Sequence, residues 1–219
     1  MPKIMTDYKQ AFNHIANNWY SLRHHSIFTA ELNELAQKWS KGTLLNIGCA
    51  HGADFVPFKD GFSLTGLDIA CAMESLLQKY GQKYGFKADF VCADMVSLPF
   101  KDYSFDYIIA IASLHHVDSY EKRLQALKEM KRVLRKGGQA FITVWNHGQE
   151  RFRNGPKECL IPYHSADKEI LRYYYLFKYD ETEQLSKQAG FKILNIKPEN
   201  NCVGERQASR NICLLLEKA

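Results

Sequence analysis

The chain has 219 residues, 46% of them apolar, which is enough for one substantial core and short for two independent domains. Twenty-nine Lys and Arg against 24 Asp and Glu leave a formal charge of +5, a tilt that helps a polyanion approach without establishing one. The six cysteines (Cys49, Cys71, Cys92, Cys159, Cys202 and Cys213) form no C-x-x-C pair and have no close histidine, so no zinc cluster or redox motif is expected and all six read as free thiols. No stretch approaches the roughly 20 apolar residues that cross a bilayer, and the start, Met1-Pro2-Lys3-Ile4, has no apolar signal core. A cytoplasmic protein with no metal and no membrane partner is expected.

Residues 1–40 read as an N-terminal helical cap. From there a short apolar strand followed by an amphipathic helix recurs, the pattern of a parallel sheet with helices on both faces, an α/β fold. Strands are expected at 44–47, 63–67, 88–92, 105–111 and 139–145, within a core spanning 41–145. The clearest helix is capped by Asp118 or Ser119 and carries Leu124, Leu127, Met130 and Leu134 at helical spacing. Lys131, Arg132, Arg135 and Lys136 suit its last turns, and Gly137-Gly138 is expected to stop it. Residues 146–179, rich in Arg, His and Tyr, read as a loop-like insertion on the substrate side; 180–219 supply a helix and a closing antiparallel hairpin.

The first strand runs into Asn46-Ile47-Gly48-Cys49-Ala50-His51-Gly52, a tight turn expected to lead into a helix. Small residues there let the backbone approach a ligand, and a helix N-terminus offers free N–H groups. Asp68 ends the second strand 20 residues after Gly48, where a carboxylate accepts from both hydroxyls of a ribose, or simply caps a helix. Asp94 follows the third strand, placed for an adenine amino group, with Met95 beside it to pack on the ring. Three strand ends thus converge where open α/β sheets bind nucleosides. A nicotinamide site is disfavoured, because Gly48-Cys49-Ala50-His51-Gly52 does not supply G-x-G-x-x-G.

Together with Leu98-Pro99-Phe100, Ser104-Phe105-Asp106 and Leu134-Arg135-Lys136-Gly137-Gly138, these features resemble the class I S-adenosylmethionine methyltransferases. The resemblance implies a Rossmann-like, mostly parallel seven-stranded sheet in a single domain, with S-adenosyl-L-methionine as cofactor. It implies a cofactor wall of Asn46, Gly48, Cys49, Gly52, Asp68, Ile69, Asp94, Met95 and Ile111, with Tyr20 and Arg23 closing over it. Asn46 stands where an acid is usual, and Ala50 where glycine is usual.

Four further segments resemble the family that methyl-esterifies 5-carboxymethyluridine at the tRNA wobble position. They are Trp19-Tyr20-Ser21-Leu22-Arg23-His24-His25, Leu114-His115-His116-Val117, Val144-Trp145 followed by Cys159-Leu160-Ile161-Pro162-Tyr163, and Arg172-Tyr173-Tyr174-Tyr175-Leu176-Phe177. Tyr175 replaces the usual His, Tyr163 the usual Trp, and Ser26-Ile27-Phe28 a Pro-Trp-Pro. The resemblance implies tRNA as partner and a small zinc-containing activator protein. Arg172 is expected to hold an anion, His116 to orient the substrate, and Tyr173, Tyr174 or Trp145 to stack on a splayed base. The rival readings are a methyltransferase for a small metabolite or quinone, and a cofactor-binding protein without transferase activity.

Overall fold

The computed structural model describes residues 8–164 and 169–219; the expectation made for the start of the chain lies outside the described residues. Two helices, α1 (Tyr8–Leu22) and α2 (Thr29–Trp39), precede the sheet. Five strands run parallel: β1 (Gly42–Ile47), β2 (Phe62–Asp68), β3 (Ala88–Cys92), β4 (Phe105–Ile111) and β5 (Leu134–Trp145). β9 (Asn211–Glu217) lies antiparallel between β5 and β8 (Lys192–Pro198), so the order is β3-β2-β1-β4-β5-β9-β8. The seven-stranded sheet and its closing hairpin are those expected from the sequence.

Helices cover both faces because the strands are apolar on both. Along β4, Ile108 and Ala110 join the core under α4 (Tyr120–Val133) and α5 (Tyr179–Gln188), through Leu127, Met130 and Leu185. Ile109 and Ile111 join the opposite core with Leu32 and Leu35 of α2 and with Leu77 and Tyr80 of α3 (Met73–Tyr84). Each fully buried Ile or Leu contributes about 1.5–3 kcal/mol, so this central strand cannot slip register without exchanging both cores. No helix of the described residues is long and apolar enough to cross a membrane.

The structure departs from the sequence reading at four places. The turn after β1 leads not into a full α-helix but into a six-residue 3-10 helix, Ala53–Phe58, which contains Pro57 and so lacks one helical N–H. α4 is capped by Ser119, which accepts from the Lys122 N–H, but it ends at Val133 instead of running to Gly137-Gly138. Leu134 is fully buried, turns extended and pairs with Phe105, while the two glycines exchange backbone hydrogen bonds with Lys218. The insertion 146–179 is not all loop: β6 (Glu158–His164) and β7 (Glu169–Tyr175) form a separate antiparallel hairpin, in keeping with the β propensity of its aromatic and branched residues. Finally, Cys71 and Cys92 are not free thiols but a disulfide. Register explains it: Asp68 pairs with Cys92, so the segment leaving β2 brings Cys71 beside the end of β3, at a Cα separation of 5.1 Å.

Two local devices hold the ends of these strands. The segment after β3 is pinned to α4, where Glu129 accepts the Leu98 N–H at 2.8 Å. Arg132 bonds Glu129 twice, Asp102, and the Leu98 and Phe100 carbonyls. The bonds from Arg132 hold the Glu129 carboxyl below its ordinary 4.5. The second device is less comfortable: Ala50, in the turn after β1, has φ of 46°, a left-handed conformation that costs an L-residue about 1–2 kcal/mol.

A carboxyl depressed in the folded state stabilises above its unfolded value and loses that contribution as pH falls through the folded one. Glu129→Gln should therefore cost about 1–2 kcal/mol at pH 7 and progressively less below pH 4.5, read by urea unfolding across pH. Ala50→Gly should gain about 0.5–1 kcal/mol and raise the thermal midpoint, since glycine takes this conformation without the steric penalty. A lowered midpoint would show that the alanine methyl is packed to advantage.

Candidate functional site

A cavity of about 510 Å³ opens at the carboxyl ends of β1 to β4, where the strand order reverses between β1 and β4. Gly48 and Cys49 line it from the first strand's turn, Asp68 and Ile69 from the second, Asp94 and Met95 from the third, and Ile111 from the fourth. Gly48 has φ of 72°, and a Cβ there would fall 2.5 Å from that of Ser113, so the turn presses against the end of β4. The Gly48 and Cys49 N–H groups both donate to the Leu67 carbonyl.

Asp68 joins two turns. One oxygen accepts the Ala50 N–H at 2.8 Å and the other the Ala70 N–H at 2.9 Å. Burial raises its carboxyl above the ordinary 3.8, against the pull of those backbone donors. Each oxygen keeps a further lone pair, so a ribose could still donate to it. Asp94 is held in a similar way, accepting the Val96 N–H at 3.1 Å.

The opposite wall comes from α1 and the β6–β7 hairpin. Strand alternation turns Ile161, Tyr163, Arg172 and Tyr174 toward the cavity. Arg172 lies over three rings, 5.2 Å from the Tyr163 centroid, 5.3 Å from Tyr174 and 6.0 Å from Trp19. Its buried Nε has no hydrogen-bond partner among the described residues. The hairpin is keyed to the core by two histidines. His116 Nδ1 bonds the Tyr173 carbonyl at 2.9 Å, and His115 Nδ1 accepts the Trp145 N–H at 3.3 Å. Burial, helped by Arg172, lowers both histidines, His116 to about 4, so both are neutral at pH 7. A carbonyl only accepts, so neutral His116 carries its proton on Nδ1 and keeps Nε2 as an acceptor.

Of the substrate-side residues expected from the sequence, His116, Trp145, Arg172 and Tyr174 line the cavity and Tyr173 does not; it falls on the other face of β7. Tyr174 is only 3% exposed and stacks on His115 and Trp145, so it cannot also stack on an entering base. On the cofactor side Arg23 lines the cavity, whereas Tyr20 packs against His51 and Tyr80 behind it. Gly52 serves helix packing, since a Cβ there would meet Leu77 at 2.3 Å. Asn46 is fully buried and not part of the wall. Sequence reasoning missed Phe12, Trp19, Asp54, Arg151 and Arg210, all of which line the cavity. Trp19 lies in a segment already singled out; the others carry no local signal, because only tertiary packing brings them here.

The donor set fits an adenosine bearing an amino-acid tail: acids with spare lone pairs at two successive strand ends, a glycine turn beneath, and Arg23 just past the end of α1. Residues 45–142 match the family model of the methyltransferase domain. A putative methyltransferase of Encephalitozoon cuniculi is 28% identical over 69% of this chain and 71% of its own length. The tRNA (carboxymethyluridine(34)-5-O)-methyltransferase of Xenopus tropicalis is 34% identical over 68% of this chain but only 22% of its own length. Among solved structures, an S-adenosylmethionine-dependent methyltransferase from Clostridium acetobutylicum superposes with a TM-score of 0.72 at 14% identity, covering 96% of this chain and 99% of that one, a likeness of fold. Over residues 45–142 the chain matches the methyltransferase domain family, its fold is that of a solved S-adenosylmethionine-dependent methyltransferase, and its sequence is similar to part of the tRNA (carboxymethyluridine(34)-5-O)-methyltransferases.

Proposed function

We propose that this chain methylates the carboxylate of a 5-carboxymethyluridine in tRNA. The observation that carries the reading is Arg172, a guanidinium oriented by three aromatic rings at the cavity wall with its buried Nε unpartnered. A planar fork of this kind pairs with a carboxylate or phosphate at two points. The name borne by the 34% identical frog relative supports the same acceptor.

At the cofactor end, Asp68 receives the ribose hydroxyls and Asp94 the adenine amino group, with Met95 and Ile69 against the ring and Cys49 and Ile111 walling the tail. Arg23 faces the tail's carboxylate. When bound, the cofactor supplies a methyl group on a sulfonium, which a carboxylate oxygen attacks directly. A carboxylic acid with a pKa of roughly 4 is already ionised at pH 7, so no general base is needed. That suits a site whose two histidines are buried and neutral. Their work is positional: His116 fixes the strand that carries Arg172 and offers Nε2 as an acceptor, and Trp145 supplies a half-buried aromatic edge beside the acceptor base.

Asp68→Ala should weaken S-adenosylmethionine binding by about 1.5–3 kcal/mol, read by calorimetry on the folded variant. Unchanged affinity would place the ribose elsewhere. Arg172→Ala should leave cofactor affinity intact and slow single-turnover methyl transfer to tRNA carrying 5-carboxymethyluridine by about 30- to 1000-fold, the equivalent of roughly 2–4 kcal/mol. Arg172→Lys should recover only part of the rate, since an ammonium keeps the charge and loses the fork. Equal transfer to tRNA with unmodified uridine would rule out the carboxylate as acceptor, and a fully active Arg172→Ala would remove this arginine from the reaction.

A further inference from the structure

Asn46 lies one residue before the end of β1, at the position where the resemblance implies an acid, and its amide cannot supply a charge. A cofactor tail with a cationic α-ammonium would then enter a partly enclosed site without a counter-charge, a cost that buried cations avoid by pairing. Among the described residues that line the cavity, the acids are Asp54, Asp68 and Asp94. Asp68 and Asp94 are each committed to the backbone at the ends of β2 and β3. Asp54 is different. It sits in the first turn of the 3-10 helix that follows Gly52, half-buried, and its carboxyl faces the side chains of Ser26 and Asn46.

We propose that Asp54 is the counter-charge for the α-ammonium of the cofactor, in place of the acid that is absent at Asn46. Asn46, fully buried, lies beside Asp54 and behind the cavity wall, so Asp54 is the one of the two that reaches the cavity. Arg23 lines the same cavity from the covering helix's end, so Asp54 and Arg23 present opposite charges to a zwitterionic group. Burial pushes the Asp54 carboxyl from 3.8 up to about 6, against the pull of Ser26 and Asn46, so a cation beside it would favour the ionised form. The acid has thus moved from the strand end to the helix that follows it, eight residues on in sequence and adjacent in space.

The inference rests on the reading of this cavity as the cofactor site, and the test separates the two. Calorimetry would compare S-adenosylhomocysteine with its deaminated analogue, which keeps the adenosine and the carboxylate and lacks only the ammonium. Asp54→Asn should weaken S-adenosylhomocysteine by roughly ten- to a hundred-fold and leave the deaminated analogue within about two-fold. The double variant Asn46→Asp with Asp54→Asn should recover most of the lost affinity by returning the charge to the strand end. A thermal midpoint for Asp54→Asn at or near the native value shows that the variant is folded. Equal losses for the two ligands, no loss for either, or no recovery in the double variant would overturn the assignment. Loss of both ligands in Asp68→Ala with retention of the deaminated analogue in Asp54→Asn keeps the cavity reading and Asp54 apart; if Asp68→Ala binds both as the native protein does, the cavity reading itself fails.

Discussion

One carboxylate holds the site in shape. Asp68 takes the Ala50 N–H and the Ala70 N–H, so the turn after β1 and the turn after β2 are both fixed by a single side chain. A buried carboxylate accepting backbone donors at both oxygens leaves little freedom to either turn. The glycine at 48 can then press on Ser113, which donates to the Ile47 carbonyl, and the ends of β1, β2 and β4 become one rigid floor. Ala50 bears the strain of this arrangement, held in a left-handed conformation by the same hydrogen bond. The disulfide between Cys71 and Cys92 extends the floor to β3, closing a loop of 21 residues around α3.

The roof is built on a different principle. Where the floor uses backbone hydrogen bonds and one acid, the roof uses aromatic contacts and neutral histidines: Tyr174 between His115 and Trp145, and His116 against Phe12 and Tyr174. Among the described residues Arg172 and Arg23 then stand as cations against rings rather than in ion pairs, Arg23 over Trp19 at 5.1 Å and Arg172 over three rings. Cation–π contacts orient a guanidinium without neutralising it, so its charge stays available to an anion. Burial that keeps the histidines uncharged also spares Arg172 from repulsion by a neighbouring imidazolium.

Much of the fold was legible because β4 and β3 are bounded apolar runs between polar turns, and residues 105–111 and 88–92 were read with the bounds they have. The end of α4 was not, since Leu134 fits a helical stripe as well as a strand, and only its pairing with Phe105 decides between them. The hairpin at 158–175 was missed for a related reason: Arg172-Tyr173-Tyr174-Tyr175 shows no apolar alternation, although its register against Glu158–Ile161 sorts the side chains cleanly. The disulfide depends on a strand register that no spacing rule announces. In the site, the strand-end acids could be named from sequence because a parallel sheet puts successive ends side by side. Asp54 could not, because its importance lies in being next to Asn46 in space.

The β6–β7 hairpin pairs Arg172 with Ile161 and Tyr174 with Cys159, and it lies outside the main sheet. In a two-residue alternation, parity is all that separates the face toward the cavity from the face away from it. Insertion or deletion of a single residue within β7 ahead of Arg172 would turn Tyr173 and Tyr175 toward the cavity and carry Arg172 to the far side. Drift in the length of β7 ahead of Arg172 is therefore tolerable only in steps of two. The place of Arg172 at the cavity wall is thus guarded by an odd–even rule, independent of the hydrogen-bonded floor at the ends of β1, β2 and β4.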